Sequence, residues 1–186
     1  MMIQTSRFGA VTLQGEDIID FPEGILGFND LRKFVLLDDP NDEIFAWLQS
    51  CEVSQIAFPV LEPELFSQAY QISLTKHDLE SLGLPVIPGE KPRVRSFSII
   101  TIPEDPTQMT ANLKAPIVIN IEKRMARQIV LQDNHLAIRE PIFQKLQSRV
   151  VSNPQTSIKS QASDWGVAIK LPLGEKPGGR EPEASR

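Results

Sequence analysis

The stretch Met109-Thr-Ala-Asn-Leu-Lys-Ala-Pro-Ile-Val-Ile-Asn120 carries the clearest fold signal in this chain. A short turn leads into a predicted strand at residues 117–121, where isoleucines alternate with other residue types. Ile129 and Leu131 repeat this alternation after a predicted turn at residues 122–127, which predicts a β-hairpin. The segment has no obvious nucleophile, metal ligand or phosphate-binding group. A specific segment with so little reactive chemistry indicates a binding protein rather than an enzyme.

The rest of the chain consists largely of short apolar or alternating segments that end at glycine, proline or aspartate. This is the pattern of short β-strands joined by turns. Regularly spaced short strands predict a mainly β fold, a small barrel-like domain of short antiparallel strands. The segments begin at Val11, Ile18, Phe34, Phe45, Ile56 and Arg93.

Pro59 interrupts the strand predicted at residues 56–61. Because proline cannot donate a hydrogen bond to a central ladder, this strand is predicted to lie at an edge or to carry a bulge. An edge strand can accept a strand from a partner protein.

One clear short helix is predicted after Thr75. Thr75 and Asp78 have the spacing of a capping box, in which each side chain bonds the other residue's backbone N–H. Leu79 and Leu82 supply an apolar stripe, and Gly83 stands where such a helix would end.

The composition divides the chain into a domain at residues 1–151 and a flexible tail at residues 152–186. The tail is rich in proline, glycine, serine, glutamine and lysine. It contains one apolar stretch, Trp165-Gly-Val-Ala-Ile-Lys-Leu171. This stretch is either a docking motif or a strand folded back onto the domain. A weak helix is predicted at residues 144–151.

Length and charge restrict the class of protein. A chain of 186 residues is about one domain. Its net charge of −5 disfavours direct nucleic-acid binding, which depends on lysine and arginine, and favours a basic protein partner. No stretch has the apolar length of a signal peptide or a membrane helix. We therefore expect a cytoplasmic protein that does not bind membranes.

The reactive residue types give no catalytic or metal-binding pattern. His77 and His135 stand apart from any other ligand spacing, so exposed surface positions are expected for both. Cys51 is the single cysteine of the sequence, so a disulfide within the chain is ruled out. The carboxylate of its neighbour Glu52 would raise the pKa of the thiol, which disfavours a nucleophilic role, and a structural or half-buried thiol is expected. We predict no catalytic residue, no metal, no cofactor and no small-molecule substrate.

The glycines and the acidic clusters have plain structural interpretations. The glycines do not form a phosphate-binding loop, and Gly24 is predicted to occupy a turn position with positive φ. The carboxylates are expected to be solvated in turns, where together they would attract a basic partner. These carboxylates are Glu16, Asp17, Asp38, Asp39, Asp42, Glu43, Glu104 and Asp105.

Several motifs, in order along residues 1–143, resemble the FliW family of flagellar assembly factors. The segment at residues 109–120 resembles the family's signature. The other matching motifs are Ile3-Gln-Thr-Ser-Arg-Phe-Gly9, Phe21-Pro-Glu-Gly-Ile-Leu-Gly-Phe28, Phe45-Ala-Trp-Leu-Gln-Ser50, Ala57-Phe58 and Gln128-Ile-Val-Leu131.

The resemblance implies two protein partners. Proteins of this family bind flagellin and protect it in the cytoplasm before export. When free of flagellin, they sequester CsrA, a small dimeric RNA-binding protein that represses flagellin translation. Binding of CsrA relieves this repression.

The resemblance also indicates partner-binding residues, all in or near the signature segment. The alternative is that the segment is characteristic because it stabilises the fold. A second function class also stays open, a small cytoplasmic enzyme whose carboxylates come together only in the fold. The predicted partner-binding residues are Ile102, Pro103, Met109, Thr110, Asn112 and Leu113.

Overall fold

The structure is a computed structural model that describes residues 1–42, 44–152 and 159–172. Across these ranges the chain forms twelve strands and two α-helices, with three short 3-10 turns. The strands are β1 Met2–Thr5, β2 Gly9–Thr12, β3 Ile19–Asp20, β4 Lys33–Asp38, β5 Ala46–Ser50, β6 Ala57–Leu61, β7 Val94–Thr101, β8 Thr110–Ala111, β9 Ile117–Asn120, β10 Met125–Gln128, β11 Glu140–Pro141 and β12 Ile169–Lys170. The helices are α1 Lys76–Ser81 and α2 Phe143–Ser152.

The main sheet closes on itself. Neighbouring strands follow the order β7–β6–β5–β4–β3–β10–β9, and β9 pairs again with β7. The pairs are antiparallel except for the parallel contact of β3 with β10, where Asp20 lies opposite Met125. The prediction of a mainly β, barrel-like fold is confirmed.

The barrel interior is filled by aromatic and branched side chains. Alternate residues of a strand point to opposite faces, so Phe34 and Leu36 of β4 point inward. The ring of Phe34 meets that of Phe21 edge-on, with centroids 4.9 Å apart. The other fully buried members of this cluster include Ile19, Leu48, Val60, Phe97, Ile117 and Ile119.

A separate hairpin covers the outer face of β4. Strands β1 and β2 form their own two-stranded sheet. Ile3 and Val11 from this hairpin pack on Val35 and Leu37, the residues of β4 that point outward. Strand β4 therefore has apolar partners on both faces.

The predicted hairpin is confirmed as β9 and β10, but its turn is shorter than the predicted 122–127. The side chain of Asn120 closes the turn by accepting a hydrogen bond from the Lys123 N–H at 3.3 Å. The second strand therefore begins earlier. Ile129 and Leu131 follow it, and their N–H groups still bond the carbonyl oxygens of Pro116 and Lys114.

The prediction that Pro59 lies in an edge strand is wrong. Strand β6 lies between β5 and β7: it pairs with β5 from Ala57 to Val60 and with β7 only at Val60 and Leu61. The Ser50 N–H donates to the Ile56 carbonyl, so alternate residues, including Pro59, turn their nitrogen away from β5. This nitrogen faces the β7 side just before pairing begins there. The missing donor is accommodated inside a barrel strand.

The predicted capping box at the start of α1 is confirmed. Thr75 Oγ1 accepts from the Asp78 N–H at 3.1 Å, and Asp78 Oδ2 accepts from the Thr75 N–H at 2.8 Å. Leu82 is fully buried, Leu79 is half-buried and Gly83 has a φ of 67°. The helix ends where the sequence predicts.

Residues 159–172 lie against the barrel. Strand β12 pairs with β4 in parallel, with Ile169 opposite Leu37. Of the two alternatives for the apolar stretch, the structure has the strand folded back onto the domain. The predicted boundary after residue 151 stays a prediction, and the tail residues 153–158 and 173–186 lie outside the described part of the chain.

Candidate partner-binding surface

The predicted partner-binding residues fall into an exposed group and a buried group. Ile102 and Pro103 follow directly after β7 and are exposed. Thr110 in β8 is half-buried and pairs with Thr101 on one side and Pro141 on the other. All residues from 101 to 108 are exposed, so this loop forms one continuous surface. We call residues 102–108 together with Thr110 the loop surface.

Met109 and Leu113 lie beneath the loop surface in a second apolar cluster. Both are buried, together with Trp47, Leu61 and other residues. The Tyr70 hydroxyl donates to the Leu113 carbonyl at 2.7 Å, which fixes the backbone there. Both side chains therefore pack on the core side of the loop.

The side chain of Asn112 forms hydrogen bonds with the backbone of the following residues. Its Oδ1 accepts from the N–H groups of Lys114 and Ala115 at 3.1 and 3.0 Å. The side chain therefore caps the turn that leads into β9. This turn sets the position of β8 relative to β9.

The exposed loop combines apolar and acidic groups. Ile102 is 39% exposed, and Glu104 and Asp105 follow it closely. The Thr107 hydroxyl and N–H donate to Asp105 Oδ1 at 2.7 and 3.0 Å. These bonds hold the pKa of Asp105 below its ordinary value. The loop thus offers a hydrophobic contact beside a fixed negative charge.

The predicted positions of the histidines and the cysteine are confirmed. His77 and His135 are exposed, and Cys51 is a free, half-buried thiol. Within the described residues, no three histidine, cysteine, aspartate or glutamate side chains converge as metal ligands. In the same residues, no helix has the length and apolar character needed to cross a bilayer.

Cys51 is expected to react slowly with thiol reagents. Burial, reinforced by the neighbouring Glu52 carboxylate, raises the pKa of its thiol to about 11. Only the thiolate is nucleophilic, so at pH 8 about one molecule in a thousand is reactive, and the rate of disulfide exchange with Ellman's reagent should rise about tenfold from pH 8 to pH 9. The urea-unfolded chain, with a thiol pKa of about 8.5, is the control and should react much faster at pH 8. A folded protein that shows the unfolded profile would contradict this.

One of the carboxylates predicted to be solvated is buried. Asp38, at the end of β4, is 3% exposed and lies 2.8 Å from the ammonium group of Lys159. The prediction of a solvated turn is wrong for Asp38 because Lys159 is 121 positions away in sequence and returns only in the fold. Asp42 is half-buried, and its Oδ2 accepts from the Trp47 indole N–H at 2.8 Å.

Glu62 is a buried acid that the sequence pattern does not reveal. It is 1% exposed, and burial raises its pKa. Its Oε1 accepts from the Ser160 hydroxyl at 2.8 Å and from the Gln161 N–H at 3.0 Å. These contacts hold the returning C-terminal segment.

Comparisons with known proteins agree with the fold and with the sequence motifs. The family model described as FliW protein matches residues 2–142. The flagellar assembly factor FliW of Bdellovibrio bacteriovorus is 66% identical over 171 residues, which are 92% of this chain and 95% of that protein. The flagellar assembly factor FliW of Leptospira interrogans serovar copenhageni is 37% identical over 143 residues, which are 76% of this chain and 93% of that protein.

A solved structure gives the same result. The crystal structure of a flagellar assembly factor FliW superposes with a TM-score of 0.69 at 34% sequence identity, over 77% of this chain and 97% of that chain. The family-model match over residues 2–142 covers the closed barrel and the loop surface. This chain belongs to the FliW family.

Proposed function

We propose that this protein is a cytoplasmic flagellar assembly factor that acts by binding other proteins, not by catalysis. The observation that carries the proposal is the match to the FliW family over residues 2–142. In this role the protein binds flagellin before export and, when free of flagellin, sequesters the translational regulator CsrA. Sequestration relieves the repression of flagellin translation.

The loop surface supports a binding role. Exposed Ile102 and Pro103 supply an apolar contact that a partner can bury. Glu104 and Asp105 add negative charge in the same loop, on a chain whose net charge is −5. An RNA-binding regulator is expected to be basic, so opposite charges would speed encounter. We assign Ile102, Pro103 and Thr110 to direct contact and Met109, Asn112 and Leu113 to support of the loop.

Regulation follows from linkage between the two partners. If flagellin and CsrA bind the same protein in mutually exclusive complexes, each lowers the apparent affinity for the other by the same factor. A rising flagellin level then releases CsrA to repress further flagellin synthesis. The output depends on the fraction of this protein that is free.

Isothermal titration calorimetry tests the proposal directly. Purified full-length protein is titrated with CsrA from the same bacterium, with and without saturating flagellin. We expect saturable binding of CsrA that flagellin abolishes. CsrA binding that flagellin leaves unchanged would overturn the competition, and the absence of any complex with either protein would overturn the assignment of both partners.

A further inference from the structure

The C-terminal segment at residues 159–172 occupies an open strand edge of the barrel. Strand β3 pairs with β4 only at Lys33 and Phe34. The far end of β4, beyond the reach of β3, is instead paired by β12 at Leu37 and Asp38. The Leu171 N–H extends this pairing by donating to the Asp38 carbonyl at 2.9 Å. An edge of this kind accepts an added strand from any chain that fits it.

Beside this edge lies a site for an ammonium group. Asp38 Oδ1 is 2.8 Å from Lys159 Nζ, which also donates to the carbonyl oxygens of Asp39 and Asp42 at 2.7 and 2.5 Å. One carboxylate and two carbonyl groups therefore converge on a single cation. Asp38 is almost fully buried in this complex.

A second polar contact and an aromatic contact complete the footprint. Glu62 accepts from the Ser160 hydroxyl and the Gln161 N–H, as described above. Trp165 stacks on the guanidinium group of Arg95, with 4.1 Å between the guanidinium carbon and the ring centroid. Arg124 donates to the Gly166 carbonyl at 2.7 Å.

The barrel residues of this footprint belong to the part of the chain that the family model matches, whereas the segment does not. Asp38, Glu62, Arg95 and Arg124 all lie within residues 2–142, and the segment begins at residue 159. Residues inside the family-model match thus form the surface, and a segment outside that match covers it. Departure of the segment would expose the polar groups of the footprint, which water can solvate, and would also withdraw Ala162 and Val167 from the barrel cluster.

We propose that residues 159–172 are a built-in occupant of a peptide-binding surface, and that a partner segment of the same chemistry competes with them. The partner segment carries an ammonium group, then hydroxyl and backbone donors, then an aromatic residue, and ends in a short strand parallel to β4. Occupation by the chain's own segment lowers the apparent affinity for the partner by the fraction of molecules in which the surface is open. This inference is independent of the identities of the partners proposed above.

The test uses a fluorescently labelled peptide with the sequence of residues 159–172 as the competing segment. Its binding to the full chain is measured by fluorescence anisotropy. The double variant Lys159→Ala/Trp165→Ala weakens the built-in occupant and leaves the barrel surface unchanged. We expect the variant to bind the peptide at least about tenfold more tightly than the unmodified chain.

A barrel-side variant provides the matched control. Asp38→Asn, added to the double variant, removes the carboxylate that holds the peptide's lysine and should abolish the gain in affinity. A double variant that keeps its near-ultraviolet circular dichroism yet binds the peptide no more tightly than the unmodified chain would overturn the proposal.

Amide hydrogen exchange on the unmodified chain gives a second test that needs no variant. The N–H of Leu171, bonded to Asp38, reports opening of the segment, and the N–H of Ser50, bonded to Ile56, reports opening of the barrel. We expect the Leu171 amide to exchange at least about 100-fold faster than the Ser50 amide. Exchange of both amides at one common rate would mean that the segment leaves only on global unfolding, and would overturn the proposal.

Discussion

Replacing Leu113 with aspartate is expected to lower the free energy of unfolding by more than about 4 kcal/mol. Leu113 is 5% exposed and packs in the second apolar cluster beneath the loop surface. The substitution removes an apolar side chain and places a carboxylate among groups that cannot solvate it. Urea unfolding measures the effect, with the dependence of the unfolding free energy on urea concentration expected to stay unchanged. Partner binding should fall only in proportion to the loss of folded protein.

Ile102→Asp is the matched control for that prediction. The same chemical change is made in the same region, at a side chain that is 39% exposed. The free energy of unfolding should change by less than about 0.5 kcal/mol, whereas binding of a partner at the loop surface should weaken. A Leu113→Asp protein of unchanged stability would show that Leu113 does not contribute to the core. An Ile102→Asp protein that binds both partners normally would remove Ile102 from the interface.

Gly24→Ala is expected to destabilise the protein by about 3 kcal/mol. Gly24 has a φ of 68°, as the sequence predicts, in the turn where its N–H donates to the Phe21 carbonyl. A Cβ atom there would lie 2.7 Å from the Phe28 carbonyl oxygen and from the Asn29 Cα. Since these are backbone atoms, the turn itself would have to move. Thermal and urea unfolding measure the loss.

Gly27→Ala separates the clash from the backbone strain. Gly27 has a φ of 85°, but a Cβ atom added there meets nothing within 4 Å. Only the left-handed backbone conformation is penalised, so the expected loss is about 1 kcal/mol. Equal losses for Gly24→Ala and Gly27→Ala would show that the turn yields to the clash without cost.

Features set by local chemistry were predictable from the sequence. The capping box of Thr75 and Asp78 involves residues three positions apart, and it fixes the start of α1 in the structure as predicted. The alternation of Ile117 and Ile119 with Val118 is a property of any strand with two different faces. For the same reason the mainly β class followed from the spacing of short apolar segments.

Features set by distant contacts were not predictable in this way. The sequence near Pro59 shows that the strand lacks one backbone N–H donor. It does not show to which neighbouring strand the proline nitrogen turns, because this depends on the pairing of β6 with β7. Asp38 resembles any turn carboxylate until Lys159 approaches it. Glu62 gives no local signal because its partners are Ser160 and Gln161.

The sequence predicted which segment forms the candidate surface, but not which of its residues are exposed and which are buried. The sequence alone does not show that Ile102 is exposed while Met109 is buried. In the structure the short 3-10 turn Pro106–Gln108 lies between the two residues. Once this turn forms, Ile102 is exposed and Met109 is buried. The loop therefore depends on its own core residues for its shape.

The closed barrel has a consequence for synthesis on the ribosome. Closure requires β3 to pair with β10 and β7 to pair with β9. Asp20 can therefore reach its pairing partner only after Met125 has been synthesised. Until then, β4 to β7 have exposed edges and apolar faces in the nascent chain, which favour association with other chains. Contacts this distant in sequence also slow folding. We therefore expect the nascent protein to depend on protection by chaperones until residue 128 has left the exit tunnel.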